Sequence, residues 1–158
     1  MGIEIRKIQK EDKQAFVELS LALTKFNRRQ HDKHYADFHN VLQIRKKRVE
    51  QRFEKLDAGS SIVVYMAFMD RQPAGYIRAF TYDNQLHCGC LDELYLTEEA
   101  RGKNIGKKLI NAMEQWMKDK GVVRLIVSVY SWNDQARKFY EEEGFCEYAV
   151  SFEKAIKQ

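Results

Sequence analysis

Apolar and polar positions alternate from the first residues. Ile3 and Ile5 are separated by charged neighbours, which predicts a strand over Ile3–Ile8. The period then changes. From Asp12, an expected N-cap, to about Phe26, the residues Phe16, Leu19, Leu23 and Phe26 recur at helical spacing and form one buried stripe. A second helical pattern over roughly Tyr35–Leu56 carries Leu42, Val49, Phe53 and Leu56 on one side, and Asp57-Ala58-Gly59 stops it. Ser61–Met69 is a nearly unbroken apolar, β-branched and aromatic run, as expected of a central strand buried on both faces. Asp70-Arg71-Gln72-Pro73 reads as a turn, with Ala74–Thr81 as the returning partner. A further turn at Asp83-Asn84-Gln85 leads into a long strand ending at Leu94-Tyr95-Leu96. These strands form an antiparallel meander.

Beyond it the pattern alters. Thr97–Asn104 is a polar loop. Gly106–Lys120 is a helix with Leu109, Met113, Trp116 and Met117 facing inward, and Gly121 ends it before the strand Leu125–Val129. A strand, a helix and a strand of these lengths imply a right-handed crossover between two parallel strands. A short helix over about Asn133–Glu143 closes at Gly144, and Cys146–Lys154 alternates Tyr148, Val150 and Phe152 as a last strand. The expected fold class is mixed α/β: a mostly antiparallel twisted sheet with one parallel crossover, flanked by about four helices. A chain of 158 residues suffices for one proper core, so residues 1–158 are read as a single domain.

Composition narrows the setting. The apolar fraction of 44% suits a soluble globular protein, and no apolar run approaches the roughly 18 residues of a membrane span. The first residues lack the regions of a signal peptide, so a cytoplasmic location with no membrane partner is expected. The three cysteines, Cys88, Cys90 and Cys146, cannot all pair internally, and Cys88 and Cys90 read as small side chains sharing one strand face. His31, His34 and His39 fit no common metal-ligand spacing, so no metal is expected. The net charge is only +4, but Arg28, Arg29 and Lys33 precede a denser run at Arg45, Lys46, Lys47 and Arg48. Such a run is either the solvated face of a helix or a lure for an anionic ligand. A basic nucleic-acid-binding module is the alternative it raises. No helix-turn-helix or aromatic RNA-binding pattern accompanies it, so no nucleic-acid partner is expected.

Candidate chemistry lies in Arg101-Gly102-Lys103-Asn104-Ile105-Gly106. A loop entering a helix presents unpaired backbone N–H groups at the positive end of the helix dipole. Small residues let a ligand approach the backbone, and Arg101, Lys103, Lys107 and Lys108 add full charges, which suits a pyrophosphate. The whole run Asp92–Leu109 resembles the acetyl-CoA-binding motif of the GNAT acetyltransferases. Arg101 and Gly106 match that motif, while Asn104 stands where the family prefers glycine; Asn tolerates the left-handed backbone such a place demands. Downstream, Asn133, Ala136, Phe139-Tyr140 and Gly144-Phe145 resemble the family's second signature, in the right order and spacing.

The resemblance implies an N-acetyltransferase that moves an acetyl group from acetyl-CoA to a primary amine of a small molecule or peptide, by direct attack in a ternary complex. It implies that the pantetheine arm pairs with the backbone of Leu94, Tyr95 and Leu96. It further implies that Arg101, Gly102, Lys103, Asn104, Ile105, Gly106 and Lys107 hold the pyrophosphate, and that Asn133 bonds the arm. Tyr140, also at the cofactor, would protonate the departing thiolate, and Glu93 would act as base, with Asp92 or a water chain as alternatives. Homodimers are common among such relatives. An acetyl-CoA sensor without catalysis is the other alternative. The stretch Lys25–Asn40, which would line the acceptor site, is more basic than acidic, against a polycationic acceptor.

Overall fold

The computed structural model describes residues 1–31, 38–56, 61–82, 87–154 and 156, with the side chains of 29–31 and 38–40 outside the description. The elements are β1 (Ile3–Lys7), a 3-10 turn (Lys10–Asp12), α1 (Lys13–His31), α2 (Phe38–Phe53), β2 (Ile62–Met69) and β3 (Gln72–Thr81). They continue with β4 (Cys88–Leu96), a second 3-10 turn (Glu98–Ala100), α3 (Ile105–Asp119), β5 (Arg124–Val127) and α4 (Asp134–Glu142). One sheet holds the five strands in sequence order. The first four run antiparallel, and β5 lies parallel to β4 across the α3 crossover. The mixed α/β architecture expected from the pattern is the one formed.

Two apolar layers explain the alternation in β2. Val63 and Ala67 face a core completed by Leu109, Ile110, Met113 and Met117 of α3. Val64, Met66 and Phe68 face the opposite core, closed by Phe16, Val17 and Leu19 of α1 and Val49 of α2. Phe16 meets the buried Tyr76 ring edge-on at 5.1 Å, a contact that adds to plain burial. Among the described residues, no helix is long and apolar enough to cross a membrane.

Several expected boundaries shift, each for a local reason. Asp12 is not the N-cap of α1. It sits in the preceding turn, where its carboxylate accepts from the Gln9 N–H at 2.7 Å and from Arg6 at 2.6 and 2.9 Å. The turn after β2 is tighter than expected: Asp70 and Arg71 both take positive φ, so Gln72 and Pro73 already belong to β3. The strand expected at Cys146–Lys154 does not form. Tyr148, Val150 and Phe152 are 75%, 64% and 95% exposed, and β5 offers only a four-residue neighbour. Alternation says which side chains would share a face, but only a ladder partner makes a strand. Arg124 over the Tyr148 ring at 4.5 Å is a contact that does connect this segment to β5.

Burial alone would raise the Asp12 pKa, but the Arg6 hydrogen bonds and the Gln9 N–H outweigh it and hold it below the ordinary carboxylate value. A folded pKa below the unfolded one contributes stability that is complete above about pH 4–5 and fades as pH falls through the folded value. Asp12→Asn should therefore cost about 1–3 kcal/mol at pH 7. The deficit should shrink on acidification, as urea unfolding at pH 7 and pH 3 would show.

Candidate active site

The parallel ladder between β4 and β5 ends at Leu91 and Val127. At that point the β3–β4 register shifts, Arg78 pairing with Glu93 and Ala79 with Leu91, so Asp92 is an extra residue on β4. A bulge bends its strand and strengthens the local twist. Beyond it, β4 continues from Glu93 to Leu96 paired to β3 on one side only, and its other edge faces a cavity of about 910 Å³. β5 ends there for the same reason: Ser128 and Val129 have no β4 partner and line the cavity.

The cavity gathers most of the residues singled out in the sequence. Glu93, Leu94, Tyr95, Leu96, Arg101, Gly102, Asn104, Ile105, Gly106, Lys107, Asn133 and Tyr140 all line it, as does Asp92. Lys103 does not: its ammonium lies 3.6 Å from the Met69 sulfur at the end of β2. Its side chain leaves the loop on the side away from the cavity. The side chains of His31 and His39, and the whole of His34, fall outside the described residues.

The loop before α3 has the backbone that an anion cradle needs. Gly102 has φ +71°, and a Cβ there would meet nothing within 4 Å, so its requirement is conformational. Asn104 stands at the N-cap of α3 with φ 59° and ψ 12°, the left-handed conformation, and makes no capping bond with its side chain. That leaves the first N–H groups of α3 unclaimed by it. Gly106 is small for a different reason: a Cβ would sit 3.1 Å from the Phe139 ring of α4, so α3 and α4 approach closely here. Free strand edge, left-handed turn, helix N-terminus and two lining cations together fit a pantetheine pyrophosphate. Asn104→Gly should be nearly neutral, whereas Asn104→Val should cost about 1–2 kcal/mol in denaturant unfolding, because a β-branched residue resists positive φ.

Asn133 caps α4, its Oδ1 accepting from the Ala136 N–H at 3.1 Å, which leaves its amide N–H groups as donors. Tyr140 is 9% exposed and held edge-on between Phe139 and Phe145, each ring centroid at 5.4 Å. Among the described residues its hydroxyl has no hydrogen-bond partner. Burial pushes the phenol well above its ordinary pKa, so it keeps its proton across the physiological range.

The acids are differently disposed. Asp92 is ion-paired with Arg78, a buried residue of β3. Glu93 pairs with Arg45 of α2 through one oxygen and accepts from the Tyr76 hydroxyl at 2.7 Å through the other. Each carboxylate oxygen has two lone pairs, so both retain acceptor capacity. Cys88 and Cys90 do not line it, and burial chiefly pushes the Cys90 thiol up, away from thiolate chemistry.

Arg45 and Tyr76 are the site residues that sequence reasoning missed. Within the basic run, which the sequence leaves as either a solvated helix face or a lure for an anionic ligand, Arg45 turns inward while Lys46, Lys47 and Arg48 are exposed. Its spacing carried the signal: Leu42, Arg45 and Val49 stand three and four residues apart, on one helix face. On the far wall, the Arg101 guanidinium lies 5.3 Å from the Phe26 ring, linking the loop before α3 to α1.

Comparison with known proteins agrees with this geometry. The family model described as "Acetyltransferase (GNAT) family" matches residues 21–145. A spermidine N(1)-acetyltransferase of Thermoplasma acidophilum is 28% identical over 153 residues, 92% of this chain and 89% of its own length. Among solved structures, the PaiA N-acetyltransferase of Thermoplasma acidophilum in complex with coenzyme A superposes with a TM-score of 0.80. It is 26% identical and covers 96% of this chain and 94% of its own. A putative acetyl transferase from Pyrococcus furiosus gives 0.74 at 22% identity, over 98% and 100% of the two chains.

Proposed function

Because the chain belongs to the acetyltransferase (GNAT) family, we propose that it transfers the acetyl group of acetyl-CoA to a primary amine of a small molecule or peptide, within the cavity beside β4. The observation that carries this reading is the free β4 edge at Glu93–Leu96, facing the same cavity as the left-handed loop, Glu93 and Tyr140. Leu94, Tyr95 and Leu96 offer the backbone edge for the pantetheine arm. Arg101, Gly102, Asn104, Ile105, Gly106 and Lys107 cradle the pyrophosphate, with Lys103 contributing only its backbone, and Asn133 donates to the arm. Acetyl-CoA supplies an activated thioester, so that the amine nitrogen gains a bond to the acyl carbon as the carbon–sulfur bond breaks.

The chain's own side chains manage the protons. An alkyl amine with a pKa near 10.4 is free base in only about one molecule in 2,500 at pH 7, a handicap of about 4–5 kcal/mol. Glu93 takes that proton on a lone pair left free by Arg45 and Tyr76. Tyr140, buried and still protonated, gives its hydroxyl proton to the departing sulfur and regains one when the nitrogen sheds its second proton on forming the amide. Direct attack is supported by Cys88 and Cys90 lying outside the cavity. A relative named for spermidine acetylation supports an amine acceptor in general.

One domain over 1–158 and a cytoplasmic setting without nucleic-acid or membrane partners belong to this proposal. So does a homodimer, supported by the exposed apolar side chains of Tyr148, Val150, Phe152 and Ile156. The test is acetyl-CoA-dependent thiol release across a panel of amines, with the acetylated product identified by mass. Thiol release that requires an amine supports transfer. Thermal stabilisation by acetyl-CoA without release for any amine would favour a cofactor-binding sensor instead.

A further inference from the structure

Resting on the acetyl-transfer reading, we propose that the acceptor is an amine that also bears a carboxylate, and that Arg45 is the residue that recognises this carboxylate. A site for a polycation offers carboxylates with no cation of their own. Among the described residues, the carboxylates lining the cavity are Asp92, Glu93, Glu142 and Glu143. Each already has a cation: Asp92 pairs with Arg78, Glu93 with Arg45, Glu143 with Lys107 at 3.7 Å and Glu142 with Lys138 at 4.0 Å. The charged side chains that α1 and α2 contribute to the cavity wall are cationic, Arg28 and Arg45.

Arg45 carries the second observation. Its Nη2 donates to Glu93, while its Nε is buried and has no acceptor among the described residues. A buried donor with no acceptor is costly, and the planar fork of a guanidinium is matched best by a carboxylate taking two parallel N–H bonds. Glu93, which receives the amine proton in the proposed transfer, is already bonded to this guanidinium. A carboxylate bound on the remaining donors of Arg45 therefore stands a few ångströms from the group that deprotonates the amine. That is the spacing of an amine and an acid within one small amino acid.

Matched pairs test this: ornithine against putrescine and lysine against cadaverine, with phosphoethanolamine against ethanolamine and spermidine alone. For each, kcat/KM is read from thiol release, and affinity for the CoA-loaded protein from calorimetry. The amino acid should exceed its decarboxylated partner at least about ten-fold, the scale of one charge-assisted bidentate contact. Arg45→Gln should bring the ratio near one, and Arg45→Lys should leave it intermediate. Any disturbance of Glu93 affects both members of a pair and cancels in the ratio. Diamines or spermidine turning over as well as the amino acids would overturn the proposal. So would an unchanged ratio in Arg45→Gln, or a preference confined to phosphoethanolamine. If no amine releases thiol, the catalytic reading fails by itself and calorimetry decides. Ten-fold tighter amino-acid binding that is lost in Arg45→Gln would support the carboxylate site, and equal binding would refute it.

Discussion

Tyr140→Phe is expected to lower kcat by about 10²- to 10⁴-fold, the range of a lost general acid, while leaving the fold in place. The rings of Phe139 and Phe145 clasp Tyr140 by its ring edges and faces, contacts that a phenylalanine keeps. The hydroxyl has no hydrogen-bond partner among the described residues, so its removal leaves no buried donor or acceptor orphaned. Thermal stability should therefore change little, and stabilisation by acetyl-CoA should persist. The pH dependence is also defined. Since burial raises the phenol above its ordinary value, wild-type kcat should show no alkaline decline from tyrosine ionisation up to about pH 10. Turnover within a few-fold of wild type in Tyr140→Phe would remove Tyr140 from the proton path and leave it a packing residue.

Glu93→Gln should lower kcat/KM at pH 7 by about 10²-fold or more, through loss of the group that takes the amine proton. The diagnostic is how the deficit moves with pH. At pH 7 nearly all acceptor arrives as ammonium and needs the base. Near pH 10 solvent supplies much of it as free amine, so variant and wild type should converge. A deficit constant across that range would mean that Glu93 acts only by anchoring Arg45 and Tyr76. Asp92→Asn is the useful contrast, because Asp92 is held by the buried Arg78. Its loss leaves a buried guanidinium without its ion-pair partner and should appear chiefly as lost stability, in the range of about 3–5 kcal/mol.

Element order and sheet topology were legible in the sequence because long periodic segments bury defined faces. Leu109, Met113, Trp116 and Met117 could only be one side of a helix, and β2 could only be central. The left-handed turn before α3 was legible too, because Gly102 and Asn104 are residue types that tolerate positive φ, and both adopt it. What could not be read locally depends on pairing across the fold. The bulge at Asp92, which ends the β4–β5 ladder and opens the cavity, follows from register against β3. The missing last strand is the same lesson in reverse: Tyr148, Val150 and Phe152 alternate properly and still lack a ladder. Arg45 hides in a basic run because only helical phase, with Leu42 and Val49 on the same face, sets it apart from its charged neighbours. His34 and Tyr35 lie outside the described residues.

The most direct measurement is amide hydrogen exchange with and without saturating acetyl-CoA, resolved to the segments Asp92–Leu96 and Arg101–Lys107. Pairing of the pantetheine arm along the free β4 edge, and of the pyrophosphate with the left-handed loop, should slow exchange in both segments together. ATP at the same concentration should leave Asp92–Leu96 unprotected. Protection elsewhere with both segments unchanged would contradict the assignment of this cavity as the site of acetyl transfer.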